Sequence, residues 1–199
     1  MTGARPFSWR AELSRKGIHL ASSVFPLSWG LGLVEPVVVK TALAVGFAIA
    51  VALEIGRRRV PVVARVFDRF FGGMLREHEA HGLTGATWIL AAMLLCALVL
   101  PERAALCALW AGVVGDAAAA LVGRALASRA AREGKTYVGS VACALASAIG
   151  PWWIAAASPL AALGIGVAAA IAERPRLAID DNARVAVVAG LAAWGLGVA

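Results

Sequence analysis

Charge is scarce in this sequence: Asp, Glu, Lys and Arg make up 16% of its 199 residues, where soluble globular chains carry about 25%. That scarcity, with so many apolar residues, excludes a disordered chain. Cysteine is also rare. Cys96, Cys107 and Cys143 sit apart in apolar stretches with no Cys-x-x-Cys pair, which excludes a secreted disulfide scaffold and leaves them as small apolar side chains. No small-x-small cleavage site follows the first apolar run, so no cleaved signal is expected. No polar linker, low-complexity tract or internal repeat divides the chain, and a single domain over 1–199 is expected.

What the chain does have is apolar surface. Apolar residues make up 61% of it and the mean hydropathy is +0.80. A chain this short builds one core and cannot hide that much apolar surface from water. It reads as an integral protein of the cell inner or plasma membrane. In a soluble domain a net charge of +7 would point to nucleic acid. Here it points to cytoplasmic loops and anionic headgroups, so the expected partner is the lipid bilayer and not nucleic acid.

A bilayer-crossing helix takes about 20 apolar residues. Such segments lie near 18–34, 37–56, 83–100, 104–122, 138–157, 159–172 and 183–199. They predict an all-α polytopic membrane bundle of about seven transmembrane helices, or six if the short sixth does not cross. With the N-terminus in the cytoplasm, every Lys and Arg except Lys40 and Arg103 falls inside. Between the second and third segments, Val62, Val63, Val66, Phe67, Phe70, Phe71, Met74 and Leu75 recur in pairs, with Arg65, Asp68 and Arg69 opposite. This predicts an interfacial amphipathic helix started by Pro61 and stopped near Gly72-Gly73. It is either a connector resting on headgroups or the element that admits a lipid. No oligomeric state follows from these patterns.

Ionisable residues within or beside the spans are the functional candidates. Asp116 lies inside the fourth segment, about 10 Å below its cytoplasmic end at 1.5 Å per residue. Gly115, Ala119 and Gly123 share one face there, and Asp116, Ala120 and Arg124 the next. Asp116 is a metal ligand or half of a buried ion pair. The basic loop that follows ends Gly134-Lys135-Thr136-Tyr137-Val138-Gly139-Ser140, where an ammonium, hydroxyls and backbone N–H groups suit a phosphate chain. It is not a P-loop, because position 129 is Arg and no strand precedes it. Asp180-Asp181-Asn182 are hard-cation ligands or a helix N-cap. Arg76-Glu77-His78-Glu79 with Gly82-Leu83-Thr84-Gly85, and Glu12, Arg15, Lys16 and His19, mark the entries to the third and first spans; singly, each also suits a solvated helix end. Glu54 pairs with Arg58 one turn on. On the expected topology all the clusters meet the same cytoplasmic face, which points to phosphoryl transfer at the inner leaflet.

At these residues the chain resembles the CTP-dependent lipid-alcohol kinases, which include dolichol kinase, phytol kinase, the CTP-using diacylglycerol kinase and bacterial relatives. The resemblance rests on Glu12-x-x-Arg15-Lys16-x-x-His19, Arg76-Glu77-His78-Glu79, Gly82-Leu83-Thr84-Gly85-Ala86, Gly115-Asp116-x-Ala118-Ala119-x-x-Gly123-Arg124, Gly134-Lys135-Thr136 with Gly139-Ser140, Glu173 and Asp180-Asp181-Asn182, in order from 12 to 182. It implies transfer of the terminal phosphoryl group of CTP to a membrane lipid alcohol, with Mg²⁺ or another divalent cation. Asp116, Asp180 and Asp181 would then hold the metal, with Asn182 assisting. Gly115, Gly123, Arg124, Gly134, Lys135, Thr136, Gly139 and Ser140 would line the nucleotide, and Asp116 or Glu79 would serve as base. Glu12, Arg15, Lys16, His19, Arg76, Glu77 and Thr84 complete the motif set. Two positions depart from the family pattern: Val138 stands where Glu is usual, and Ala183-Arg184-Val185 follow the Asp-Asn motif without the usual Pro. A phosphatidate cytidylyltransferase and a small transporter using Asp116 as a cation site are the other readings.

Overall fold

The structure, a computed structural model, describes residues 9–75, 77–80, 82–126, 134–175, 177 and 179–199. Among them every regular element is helical and there is no strand, so the chain is all-α. Arg5, Arg76, His81, Arg129, Arg132, Arg176 and the side chains of Glu77 and His78 lie outside the described residues.

The first expected span is broken in two. α1 runs Trp9–Ala21 and α2 runs Val24–Gly30. Pro26 has no N–H to give to the Ser22 carbonyl, and Phe25 N bonds it instead at 3.2 Å, which tightens the chain at Ser22-Ser23. α3, Pro36–Arg59, begins with proline in its first turn and ends on Arg57-Arg58-Arg59, where cations suit the carbonyl end of a helix. α4, Pro61–Phe71, is the expected amphipathic helix and buries no residue fully. A short turn of 3₁₀ helix, Glu77–Ala80, leads to α5, Gly85–Val99.

α6, Glu102–Trp110, a π-helical segment Ala111–Gly115 and α7, Asp116–Leu126, form one continuous rod. This rod is the axis of the molecule. Every residue from Ala104 to Val113 is buried, and α8 (Tyr137–Trp153), α9 (Pro159–Glu173) and α10 (Asp181–Gly195) pack around it and one another. α7 and α8 cross on glycine. A Cβ on Gly123 would stand 2.9 Å from Thr136 Oγ1, and one on Gly139 would stand 2.8 Å from the Ala119 carbonyl oxygen. α8 turns into α9 through Ala156 at φ +48°, while Ala155 N and Ala157 N bond back to Gly150 O and Pro151 O.

Among the described residues two helices, α3 and the α6–α7 rod, are long and apolar enough to cross a membrane. They differ in setting, since 72% of the apolar stretch of the rod is buried inside the protein and only 11% of that of α3. α5 and α9 are apolar and have 15 residues each; α5 is shorter than the 83–100 segment that announced it, while α9 contains the whole of the 159–172 segment.

Candidate active site

α1 is polar for its position and is bound to the rod by charge. Glu12, Lys16 and His19 share one face of α1, opposite Arg124, Asp116 and Gly112. Glu12 pairs with Arg124 and accepts two bonds from Arg15 at 2.6 and 2.7 Å. Lys16 pairs with Asp116, and both residues are only 3% exposed. Of the two fates open to Asp116, this structure contains the ion pair. His19 Nε2 donates to the Gly112 carbonyl at 3.1 Å and lies 3.8 Å from Asp116 Oδ2. Gly112 lies within the π segment and Asp116 directly follows it, the kind of local irregularity that often accompanies functional sites. Gly112 is also a hub: a Cβ there would lie 2.8 Å from the Ala186 Cβ and 3.3 Å from the Asn182 carbonyl oxygen.

The start of α5 is held by two carboxylates. Thr84 N donates to Glu54 Oε1 at 2.7 Å and Gly85 N donates to Glu79 Oε1 at 2.8 Å, both acids favourable at the positive end of a helix. Arg57 fastens the preceding loop, donating to the Glu79 and Gly82 carbonyls at 2.9 and 2.7 Å and to Glu54 Oε2 at 2.8 Å. Glu54 therefore does more than pair with Arg58 and Arg57 on its own helix. α10 completes this corner, because a Cβ on Gly85 would sit 3.7 Å from Asn182 Nδ2 and 3.9 Å from Asp180 Oδ2.

Lys135 ties three elements together. Its ammonium contacts Glu173 Oε1 at 2.8 Å, Asp181 Oδ2 at 3.2 Å and the Glu173 carbonyl oxygen. Thr136 caps α8 by accepting from Gly139 N at 3.0 Å, so that N–H is already engaged. Ser140 Oγ donates back to the Thr136 carbonyl at 3.3 Å. Asp180 caps α10 by accepting from Asn182 N at 3.0 Å. Gly134 is exposed, and Gly115 is buried against Ser147 and Cys143 of α8.

Between α1, α3, α4 and α5 lies a cavity of about 290 Å³. Its walls are apolar, including Leu53, Phe67, Phe71, Ile89 and Leu90. One end is polar, where Lys16, His19, Glu79 and Asn182 meet. The amphipathic helix thus forms one wall of the cavity.

The sequence-chosen residues therefore fall into three linked groups: Glu12, Arg15, Lys16, His19, Asp116 and Arg124; Glu79, Thr84, Asp180 and Asn182; and Lys135 with Asp181 and Glu173. Asp116 and Asp181 bind different cations, Lys16 and Lys135. Among the described residues no three His, Cys, Asp or Glu side chains form a metal-sized cluster. The donors present suit Mg²⁺ brought with a nucleotide, which needs one or two protein carboxylates besides phosphate, rather than a resident ion in an all-protein cage. Gly112 and Arg57 were not singled out by sequence. The Gly-x-x-Gly spacing of Gly112 and Gly115 inside a span was the available signal for the first.

No protein-family model matches the chain, and no solved structure matches it. It is similar to an uncharacterized protein, RP860, of Rickettsia prowazekii (strain Madrid E), with 25% identity over 132 residues. That stretch covers 65% of this chain, and the chain spans 63% of the relative's length.

Proposed function

We propose that this protein is a membrane kinase that transfers the terminal phosphoryl group of CTP to the hydroxyl of a lipid alcohol at the cytoplasmic face. The observation that carries this reading is the cavity, whose walls are largely apolar, as a lipid tail needs, and which Lys16, His19, Glu79 and Asn182 also line. Lys135 and Arg124 supply cationic charge for the phosphate chain. Asp180 and Asp181 would hold Mg²⁺ brought with the nucleotide, which would neutralise charge on the phosphates. Asp116 orients Lys16, and Glu79 is a carboxylate that lines the cavity. In such transfers positioning and charge stabilisation supply most of the catalysis. The test is incubation of purified protein with γ-labelled CTP and a panel of lipid alcohols. Labelled alcohol phosphate with CDP supports the kinase; a CDP-lipid with pyrophosphate identifies a cytidylyltransferase instead, and no turnover favours a transporter.

The same reading places the chain in the membrane with seven crossings: α1–α2 together, α3, α5, the α6–α7 rod, α8, α9 and α10, with α4 in the cytoplasmic interface. Outward apolar rows support it. Val141, Leu145 and Ile149 on α8 and Leu160, Leu163, Val167 and Ile171 on α9 are all exposed at helical spacing, more than a soluble monomer tolerates. The α8–α9 turn can complete a short crossing because Ile154, Ala155 and Ala157 are buried in protein. A reporter fused at the N-terminus is expected to read cytoplasmic, and one after Ala199 external. Both termini on one side would reduce the count to six.

A further inference from the structure

α8, α9 and α10 are short for the crossings assigned to them, with 17, 15 and 15 residues. At 1.5 Å per residue they rise about 26, 22 and 22 Å, against a hydrocarbon core of about 30 Å. Tilt would only lower those heights. α3, with 24 residues, rises about 36 Å and packs against α2, α4 and α5. The shortfall is therefore not general to the molecule, and it falls on the face built from α8, α9 and α10.

Side chains of the membrane–water interface close this band at both ends. Tyr137 is exposed at the start of α8, with the Arg174 guanidinium 4.1 Å from its ring centre. Trp152 and Trp153 are exposed at the other end of α8, and Trp194 near the end of α10. Tyrosine and tryptophan collect at headgroup level, and arginine reaches for it. From Tyr137 to Trp153, and from Ser158 to Arg174 along α9, the rise is about 24 Å. Between these rims the outward residues are the apolar rows of α8 and α9. The α8–α9 turn does not extend the band. Its inward residues are buried, but Ala156 and Ser158 are exposed, Ala156 with φ +48°. Irregular backbone does not face lipid within the hydrocarbon, so the turn lies at headgroup level beside the two tryptophans.

We propose that the outward face of α8, α9 and α10 is a lipid-selective surface that takes short-chained phospholipids and thins the bilayer it meets to about 24 Å. This rests on the seven-crossing membrane reading and is independent of the reaction the protein performs. A membrane thicker than the band must either compress or leave Trp152, Trp153 and the α8–α9 turn in hydrocarbon. Compression is the cheaper course, and its modest cost per Å is what favours short chains over long ones next to the protein.

The experiment uses the full chain in phosphatidylcholine vesicles and reads its tryptophan fluorescence. Brominated dioleoylphosphatidylcholine, which quenches tryptophans that face lipid, is mixed with unbrominated dimyristoleoyl, dioleoyl or dierucoyl phosphatidylcholine. Relief of quenching then reports which lipid occupies the face carrying Trp152, Trp153 and Trp194. The dimyristoleoyl lipid is expected to relieve quenching with about threefold higher apparent affinity than the dioleoyl lipid, and the dierucoyl lipid with the lowest. Equal affinities, or a preference for the dioleoyl or dierucoyl lipid, would overturn the proposal and leave the membrane reading standing. No quenching by the brominated lipid would overturn the membrane reading and the proposal with it. Tyr137→Leu combined with Arg174→Leu changes two exposed side chains and removes the cytoplasmic rim, which lengthens the apolar band. Its preference should move toward the dioleoyl lipid; an unchanged preference would overturn the assignment of that rim.

Discussion

Asp116→Asn is expected to lower both stability and turnover, and adding Lys16→Gln is expected to restore only the first. The Lys16 ammonium lies in the interior, and Asp116 is its principal counter-charge. Removing one member of a buried pair strands the other and costs about 3–5 kcal/mol. Neutralising both leaves two amides able to bond each other, so part of that loss should return as a coupling of about 0.5–3 kcal/mol. Turnover should not return with it. Lys16 lines the cavity, where on the kinase reading the transferred phosphoryl group would develop charge, and charge stabilisation is usually the largest single term in such chemistry. Thermal unfolding and CTP turnover measured on the same preparations decide the matter. If the double variant is stable and active, the pair is only a fastener between α1 and the rod. If Asp116→Asn loses activity merely in proportion to its folded fraction, the conclusion is the same.

That pair also shows where sequence reading reached and where it stopped. Hydropathy located the helices well, because a 3.6-residue pattern or an apolar run reports local structure directly. α4 came out at Pro61–Phe71 from a proline start and paired apolar residues, and α3, Pro36–Arg59, from the apolar run over 37–56. The break at Ser22-Ser23 was missed, since an apolar run through Pro26 reads as continuous until the missing N–H of Pro26 is counted. Length was overread for α5, expected over 83–100 and found at Gly85–Val99, whereas the short segment 159–172 lies wholly within α9.

The candidate site was legible as a set of residues but not as a set of partners. Which acid faces which base depends on the crossing of helices far apart in sequence, and composition says nothing of that. Lys16 meets Asp116 across 100 residues, and Glu12 meets Arg124. The glycines placed on the nucleotide illustrate the same limit. Gly123 and Gly139 let α7 and α8 touch, and the Gly139 N–H is taken by Thr136. A Gly-Lys-Thr run suits a helix start as well as a phosphate, and only tertiary placement separates the two.

Lys135→Met is expected to weaken CTP and ATP alike without changing the preference for CTP. The ammonium lies between Glu173 of α9 and Asp181 of α10, partly exposed, and Val138 in the next turn brings no carboxylate to this corner. In the kinase reading it leaves one carboxylate for a phosphate when nucleotide arrives, and Asp181 is freed for the metal. A charge-assisted bond of about 1.5–3 kcal/mol corresponds to a rise of about 10- to 100-fold in the KM for either nucleotide. Because the ammonium touches phosphate and not base, the ratio of the two nucleotides should hold. Lys135→Arg keeps the charge but not the compact shape, and should recover only part of the loss. The competing account makes Lys135 a tie between α8, α9 and α10. In that case Lys135→Met leaves Glu173 and Asp181 facing each other unneutralised, and the double variant with Asp181→Asn regains both stability and KM. Steady-state kinetics at saturating Mg²⁺, with unfolding measured alongside, separates the accounts: a stable protein with a raised KM that Asp181→Asn does not repair assigns Lys135 to the nucleotide.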